Sequence, residues 1–362
     1  MKVHFPHLDG LRFVAFFLVY WQHAAERVMH KLEALGYMDA RHLFSTGGIG
    51  VSFFFVLSGF LITYLLLEER GANGFIDIKA FYARRVLRIF PLYYAVVAFG
   101  FVLYPLARWV LGQPPVDNGS FALYALFLGN FDQLAGAENA GFVGVLWSVG
   151  IEEQFYIVWA PLMAWLAFGN YKYLFPVVII ASTAFRFLHS GDGTVLYFHT
   201  LSVMSDLAIG GGMAYLAQTR DGFKGLFARL SKWHVAPVYA LGFTVMWGFP
   251  VLEPWPWAHR LATAAFFAFV IAEQNWSAGS LFKLGDFRLV SRLGVYTYGM
   301  YSLHMIVLYF VDLPFRGRDQ SYATDAAFFT IGLVATVAVA WASYELFEKK
   351  FLKLKRRFGY NR

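Results

Sequence analysis

Long apolar runs separated by short polar stretches repeat along the whole chain. A helix that crosses the hydrocarbon core of a bilayer, about 30 Å thick, needs about 20 mostly apolar residues. Runs near that length predict about ten transmembrane helices, which fall at about residues 11–29, 47–67, 90–110, 147–168, 173–189, 198–217, 235–251, 259–275, 295–312 and 325–346. The pattern therefore predicts an all-α integral membrane protein.

One apolar run, "FALYALFLGNF" at residues 121–131, is too short for a full crossing. The orientation of the spans follows from the loops, because cytoplasmic loops are enriched in lysine and arginine. The basic groups between spans and the C-terminal "KKFLKLKRRF" all fall on the cytoplasmic side only if this short segment does not cross. We therefore expect it to be re-entrant or interfacial, with both termini of the chain cytoplasmic.

Composition agrees with a membrane protein, since 59% of the 362 residues are hydrophobic and only 15% are charged. A soluble domain carries about a quarter charged residues. The apolar runs leave no length for an appended soluble domain, so we expect a single membrane-embedded domain over residues 1–362. The net charge is +7, but the basic residues form short clusters between spans rather than one face, and no nucleic-acid partner is predicted.

The chain contains no cysteine, which excludes disulfides, thiolate metal ligands and a thioester on the protein itself. No group of histidines and carboxylates has metal-site spacing, so no metal is predicted. The informative residues are ionisable groups inside spans, because placing one at membrane depth is costly unless it faces the protein interior or a wet cavity.

His23 is the first such residue. At about 1.5 Å per residue it lies roughly 18 Å beyond Leu11, and eleven residues turn through about 1100°, which puts Arg12 on nearly the same helix face. One groove could expose both side chains, or His23 could simply hydrogen-bond between helices while Arg12 marks the membrane boundary. Asp9, three residues before Arg12, is expected to pair with it.

The stretch "LWSVGIEEQFY" places Glu152 and Glu153 about 8 Å inside the span that begins near Trp147. Adjacent residues on a helix point about 100° apart, so at most one of these carboxylates faces a given cavity. Ser148 lies four residues before Glu152 and shares its face, which favours Glu152 for the interior. The alternative is an acidic pair that faces the lipid headgroups.

Two further stretches contain candidate site residues. In "FYARRVLRIFPLYY", Arg84, Arg85 and Arg88 are spaced so that a fork of guanidinium groups can bind one phosphate-bearing ligand, although the positive-inside rule also explains them. In "YGMYSLHMIV", His304 lies about 14 Å into its span. Like His23, it is either a hydrogen-bonding core residue or part of a site.

Five blocks in order, "LDGLRFVAFFLVYWQH", "GVSFFFVLSGFLIT", "FYARRVLRIFPLYY", "LWSVGIEEQFY" and "YGMYSLHM", resemble the acyltransferase family 3 of integral-membrane O-acyltransferases. The resemblance covers nearly the whole chain. It implies about ten membrane helices in a bacterial inner membrane. It also implies an acyl-CoA donor and acylation of hydroxyl groups on cell-surface glycans, lipid-linked saccharides or secondary metabolites.

The resemblance also implies roles for matched positions. The arginine and histidine of the first motif fall on Arg12 and His23, with His23 as the expected catalytic residue. The cytoplasmic arginine motif falls on Arg85 and Arg88, which implies donor handling, and the glutamate of the tryptophan–serine motif falls on Glu152. The family's last motif, which often ends in glutamate, arginine and proline, here reads "LFEKKF", without the proline.

Together these features predict a membrane O-acyltransferase that moves an acyl group, acetyl by default, from acyl-CoA to a glycan, lipid-linked saccharide or similar acceptor. His23 is the expected general base and Glu152 the residue that orients its ring. The expected substrate-contacting residues are Arg12, Arg84, Arg85, Arg88, Ser148, Glu153 and His304. No permanently bound cofactor is expected. The alternative is a transporter or flippase with a His/Glu proton relay, and oligomeric state stays open.

Overall fold

The computed structural model describes residues 5–36, 46–115, 119–136, 141–247, 254–317 and 321–358, and within them every regular element is helical. A helix of at least 16 residues lies at each of the ten predicted positions. These are α1 Pro6–Ala24, α2 Gly47–Asn73, α3 Ile78–Ala98, α4 Trp147–Trp165, α5 Tyr171–Leu188, α6 Thr200–Thr219, α7 Lys232–Trp247, α8 Pro256–Trp276, α9 Thr297–Asp312 and α10 Tyr322–Ser343.

Shorter helical segments connect these ten. The short α-helices are Glu26–Ala34, Tyr104–Val110, Phe121–Ala125, Gly129–Leu134, Gly193–Phe198, Asp221–Ala228, Arg288–Gly294 and Lys349–Leu354. The 3₁₀ segments are Gly144–Leu146, Phe168–Asn170, Leu284–Asp286, Leu313–Phe315 and Lys355–Phe358. Two π-helical segments, Phe99–Leu103 and Tyr344–Glu348, continue α3 and α10.

Four helical segments of the described chain are long and apolar enough to cross a membrane. They are Gly47–Asn73, Ile78–Val110, Phe168–Leu188 and Tyr322–Leu354. A membrane protein built of helices is therefore supported by length and composition. The full set of ten crossings and the cytoplasmic position of both termini stay predictions.

At two places the ends of the helices differ from the ends of the predicted membrane spans. The first span was expected to continue to about residue 29, but α1 ends at Ala24, and a separate helix with charged side chains begins at Glu26. The third was expected to begin near residue 90, but α3 begins at Ile78 because the side chain of Asp77 caps it, accepting a hydrogen bond from the backbone N–H of Ala80. Apolar length alone does not detect a capped polar turn.

The short segment at residues 121–131 contains a helix that ends at Ala125 and the start of one that begins at Gly129. Phe127 between them has a positive φ of 59°, which is uncommon for a residue other than glycine. Its ring stacks on Tyr93 of α3, with 4.1 Å between ring centroids. Neither helix is long enough to span a bilayer, and the re-entrant or interfacial placement stays a prediction.

The described chain divides into two compact units. The first unit, drawn from Met1–Gln22, Leu32–Ile76 and Leu162–Val295, contains α2, α5, α6, α7 and α8. Here α2 and α6 approach so closely that a Cβ built on Gly210 would lie 1.9 Å from the carbonyl oxygen of Val56. Such close backbone approach through small residues is typical of membrane helix pairs.

The first unit also contains a buried ion pair that the sequence pattern did not reveal. Asp206 on α6 is fully buried and pairs with Arg260 of α8, with 2.6 Å between Oδ2 and the guanidinium. Ser52 of α2 donates to the same carboxylate at 2.6 Å. Because the charge is paired and its oxygens accept hydrogen bonds, we interpret this cluster as a structural link between three helices.

The second unit is drawn from His23–Lys31, Asp77–Pro161 and Tyr296–Arg362, and it contains α3, most of α4, α9 and α10. Within it, Arg27 pairs with Asp312 and Lys31 pairs with Asp325, which ties the helix after α1 to α9 and α10. Apart from Arg12, all the residues that the sequence nominated for the site belong to this unit.

Candidate active site

His23 and His304, which no sequence pattern connected, lie side by side in the second unit. His23 occupies the last turn of α1 and is half-buried, whereas His304 on α9 is fully buried. Their ring centroids are 5.2 Å apart and the rings are tilted by 46°, a separation at which aromatic rings are in contact. The structure therefore places a buried imidazole beside the predicted catalytic one.

His304 is fixed by its own helix. Its Nδ1 lies 2.7 Å from the carbonyl oxygen of Tyr301, one turn earlier. A carbonyl oxygen can only accept, so Nδ1 carries the proton and donates it. In the neutral ring, Nε2 is then the nitrogen that carries the lone pair.

Ser148, in the first turn of α4, is hydrogen-bonded to the tyrosine that holds His304. Its Oγ lies 2.6 Å from the hydroxyl of Tyr301, and that hydroxyl also donates to the carbonyl oxygen of Val145 at 3.1 Å. All three side chains, those of Ser148, Tyr301 and His304, are buried. The start of α4 is thereby linked to the turn of α9 that holds His304.

Of the two adjacent glutamates, Glu153 is the more buried, and the expectation that Glu152 faces an interior cavity stays a prediction. Glu153 is 5% exposed, whereas Glu152 is only partly buried and accepts a hydrogen bond from Tyr156 at 3.3 Å. Adjacent side chains point about 100° apart on a helix, and on α4 the side chain of Glu153 is the one that points into the protein. The shared face with Ser148 did not decide which carboxylate is buried. The role of Glu152 beside His23 stays a prediction.

The three arginines of α3 have different partners. Arg85 lies over the rings of Phe81 and Tyr156, 5.7 and 5.9 Å from their centroids, and interacts electrostatically with Glu153. Arg84 donates to the carbonyl oxygen of Phe358 at 2.8 Å. Arg88 is the most exposed of the three. Of the three arginines in the predicted fork, Arg88 is therefore the most accessible at the protein surface.

Arg12 lies on α1, eleven residues before His23, as the sequence predicts. It pairs with Asp9, and this predicted ion pair is confirmed. That one groove exposes both Arg12 and His23 stays a prediction.

Glu348, in the divergent "LFEKKF" stretch, is a buried carboxylate that was not among the expected site residues. It is 7% exposed, lies in a π-helical segment, and accepts a hydrogen bond from Ser343 at 3.0 Å. It also interacts electrostatically with Arg88. Short π-helical segments inside longer helices are frequent at functional sites. The available signal was a carboxylate that follows the apolar pair Leu346 and Phe347 at the end of a long apolar run.

Two buried polar atoms near each other on α3 and α4 lack a hydrogen-bond partner within the described residues: Nε of Arg85 and Oε1 of Glu153. Buried polar atoms in proteins are nearly always hydrogen-bonded, so both are candidates for contact with a bound molecule. No group of three or more possible metal ligands is found in the part of the chain that the structure describes.

These features define a class: helical membrane proteins with buried acid–base residues. The chain belongs to the acyltransferase family, because the family model for the acyltransferase domain matches residues 5–345. Among its relatives, the peptidoglycan O-acetyltransferase OatA of Listeria monocytogenes is 27% identical over 85% of this chain and 50% of its own length. The O-acetyltransferase OatA of Staphylococcus aureus is 26% identical over 97% of this chain and 57% of its own length.

The chain thus spans little more than half the length of the curated relatives that it matches. No solved structure matches it.

Proposed function

We propose that this protein is a multi-pass inner-membrane O-acyltransferase that moves an acetyl group from acetyl-CoA to a hydroxyl group of a glycan or lipid-linked saccharide. Membership in the acyltransferase family and relatives named O-acetyltransferases support the reaction class. The observation on which the mechanism depends is the contact between His23 and His304 inside the second unit.

His23 acts as the general base in this proposal. A neutral imidazole can take a proton in an apolar site where a charged base would be costly. Its ring accepts the proton of the acceptor hydroxyl as the oxygen attacks the thioester carbon. The new C–O bond forms and the C–S bond breaks, and His23 returns the proton to the departing coenzyme A thiolate. Because the chain has no cysteine, no thioester forms on the protein.

The donor site is proposed to involve the arginines and Glu153. Coenzyme A is a polyanion, so its phosphates are expected to stay at the solvent-exposed Arg88 on the cytoplasmic side. Its pantetheine arm has two amides, and each amide has one N–H and one carbonyl oxygen. An N–H of this arm would satisfy Oε1 of Glu153, and a carbonyl would accept from Nε of Arg85, the two buried atoms without a described partner.

The acceptor is proposed to be a saccharide hydroxyl. The name of the Listeria relative states that its acceptor is peptidoglycan, and an uncharged hydroxyl is a nucleophile that requires the general base described above. Which glycan is modified is a question for the acceptor screen in the experiment below.

The experiment is a thiol-release assay with purified protein in proteoliposomes. Acetyl-CoA is supplied with a panel of glycans and lipid-linked sugars, and a thiol reagent reports free coenzyme A. The protein adds no background because it has no cysteine. We expect acceptor-dependent thiol release together with labelled acetyl on the acceptor. Transport of a saccharide across the bilayer without thiol release would instead support the transporter alternative.

A further inference from the structure

We propose that His304 is the positioning residue for His23. The carbonyl of Tyr301 holds His304 in the tautomer whose Nε2 can accept a hydrogen bond. This nitrogen receives the hydrogen bond from the ring N–H of His23. This inference rests on the proposed function, in which His23 is the base. It transfers to His304 the orienting role that the sequence suggested for Glu152.

The tautomer follows from the contact with Tyr301. The 2.7 Å separation between Nδ1 of His304 and that carbonyl oxygen requires the proton to be on Nδ1. The lone pair is therefore on Nε2, at the opposite corner of the ring. An imidazole nitrogen with a lone pair can accept from a neighbouring N–H. The structure shows the rings of His23 and His304 in contact, and the hydrogen bond between them is the step that we propose.

The support of His304 is itself rigid. Tyr301, which provides the carbonyl, is held at its hydroxyl by Ser148 and by the carbonyl of Val145. The three-residue chain from Ser148 through Tyr301 to His304 is buried throughout. Orientation of a catalytic ring by a buried partner that is itself hydrogen-bonded is the arrangement that general-base catalysis by histidine uses elsewhere.

The hydrogen bond has a defined consequence for the reaction. One ring nitrogen of His23 donates to His304, so the other carries the lone pair that takes the acceptor proton. When that proton arrives, His23 becomes an imidazolium, and its bond to Nε2 of His304 becomes charge-assisted and stronger. No additional proton or electron is required, because the same proton passes later to the coenzyme A thiolate.

A kinetic comparison tests this role. We expect His304→Leu to lower kcat by at least about 10²-fold, the lower end of the contribution of general acid–base catalysis, with the KM for acetyl-CoA unchanged within about twofold. His304→Gln keeps an acceptor oxygen near the position of Nε2 and should recover about tenfold over the leucine variant. Val307→Ala removes buried side-chain volume from the same helix and serves as the control for packing.

Nitrogen NMR provides a readout that does not depend on turnover. With ¹⁵N-labelled histidine, the signals missing from His304→Gln assign the ring of His304 among the ten histidines. We expect a protonated Nδ1 and an Nε2 that accepts a hydrogen bond. In His304→Leu, the ring signals of His23 should shift, whereas Val307→Ala should leave them in place.

The outcomes separate the two proposals. If the wild type transfers no acetyl group, the proposed function fails, and the NMR result still decides the pairing of the two rings. If the wild type is active but His304→Leu keeps its kcat, or glutamine is no better than leucine, the positioning role is wrong. A proton on Nε2 of His304 in the wild type also overturns it, including when the leucine variant does not fold.

Discussion

Ser148 and Tyr301 join α4 to α9 through a hydrogen bond of 2.6 Å between their hydroxyl groups. Both side chains are buried. Removing one partner of a buried hydrogen bond costs about 1–3 kcal/mol, because the other partner loses its bond without regaining water. The bond lies one turn of α9 away from His304, so its loss should affect both stability and catalysis.

We therefore expect Ser148→Ala and Tyr301→Phe each to lower the midpoint of thermal unfolding in detergent by several degrees. Their effects should not add in the double variant, with a coupling of at least about 0.5 kcal/mol. Simple additivity of the two single changes would show that this hydrogen bond does not join the helices.

The two adjacent glutamates of α4 provide a second, internally controlled test. Glu153→Gln changes a buried side chain that interacts electrostatically with Arg85. Altering a buried polar group of this kind is expected to cost about 1–3 kcal/mol. Glu152→Gln changes a partly exposed side chain, and its effect on stability should stay within about 1 kcal/mol. Thermal unfolding of the two variants measures the difference, and a larger loss in Glu152→Gln would contradict the assignment of the buried position.

Donor binding should depend on Arg88. In Arg88→Gln, the KM for acetyl-CoA should rise about 2–5-fold, the size expected for one exposed charge contact, with little change in kcat. Because screening by salt weakens such contacts, the KM of the variant should depend less on ionic strength than that of the wild type. Lys79→Gln on the same helix is exposed and serves as the control. Equal KM values for Arg88→Gln and Lys79→Gln would show that Arg88 does not bind the donor and only helps to set the orientation of the chain in the membrane.

The close contact of α2 and α6 predicts opposite effects for two glycine substitutions in α2. A Cβ on Gly59 would lie 1.9 Å from the carbonyl oxygen of Leu207, so Gly59→Ala should destabilise the protein by about 1–3 kcal/mol. A Cβ on Gly71 meets nothing within 4 Å, and Gly71→Ala should stabilise by about 0.4–1 kcal/mol. Thermal unfolding in the same detergent compares them. A similar loss in both variants would indicate that helix flexibility, not the contact, determines the result.

Apolar run length predicted the position of each long helix, because burial in lipid or protein selects long apolar stretches regardless of detail. Details that depend on single side chains were missed. The Asp77 cap starts α3 about twelve residues before the predicted span, and α1 ends at Ala24, inside the run that was predicted to reach residue 29. At helix ends, local hydrogen bonds such as the Asp77 cap determine the boundary more than hydropathy does.

The sequence named the candidate site residues but did not predict which of them contact one another. Spacing on one helix showed that Glu152 and Glu153 point apart, yet which one is buried depends on what packs against α4, and one sequence does not contain that information. The contact between His23 and His304 joins residues 281 positions apart in the chain. Tyr301 could have been suspected, because a tyrosine three residues before a buried histidine shares its helix face.

The central claim is that His23 is the base of acetyl transfer, and its most direct test is acetyl-CoA turnover by His23→Ala in proteoliposomes. His30→Ala, which removes an exposed histidine of the following helix, is the matched control. We predict that His23→Ala lowers kcat by at least about 10²-fold, while the control keeps wild-type turnover and both proteins stay folded. A His23→Ala protein that transfers acetyl at the wild-type rate would contradict the account.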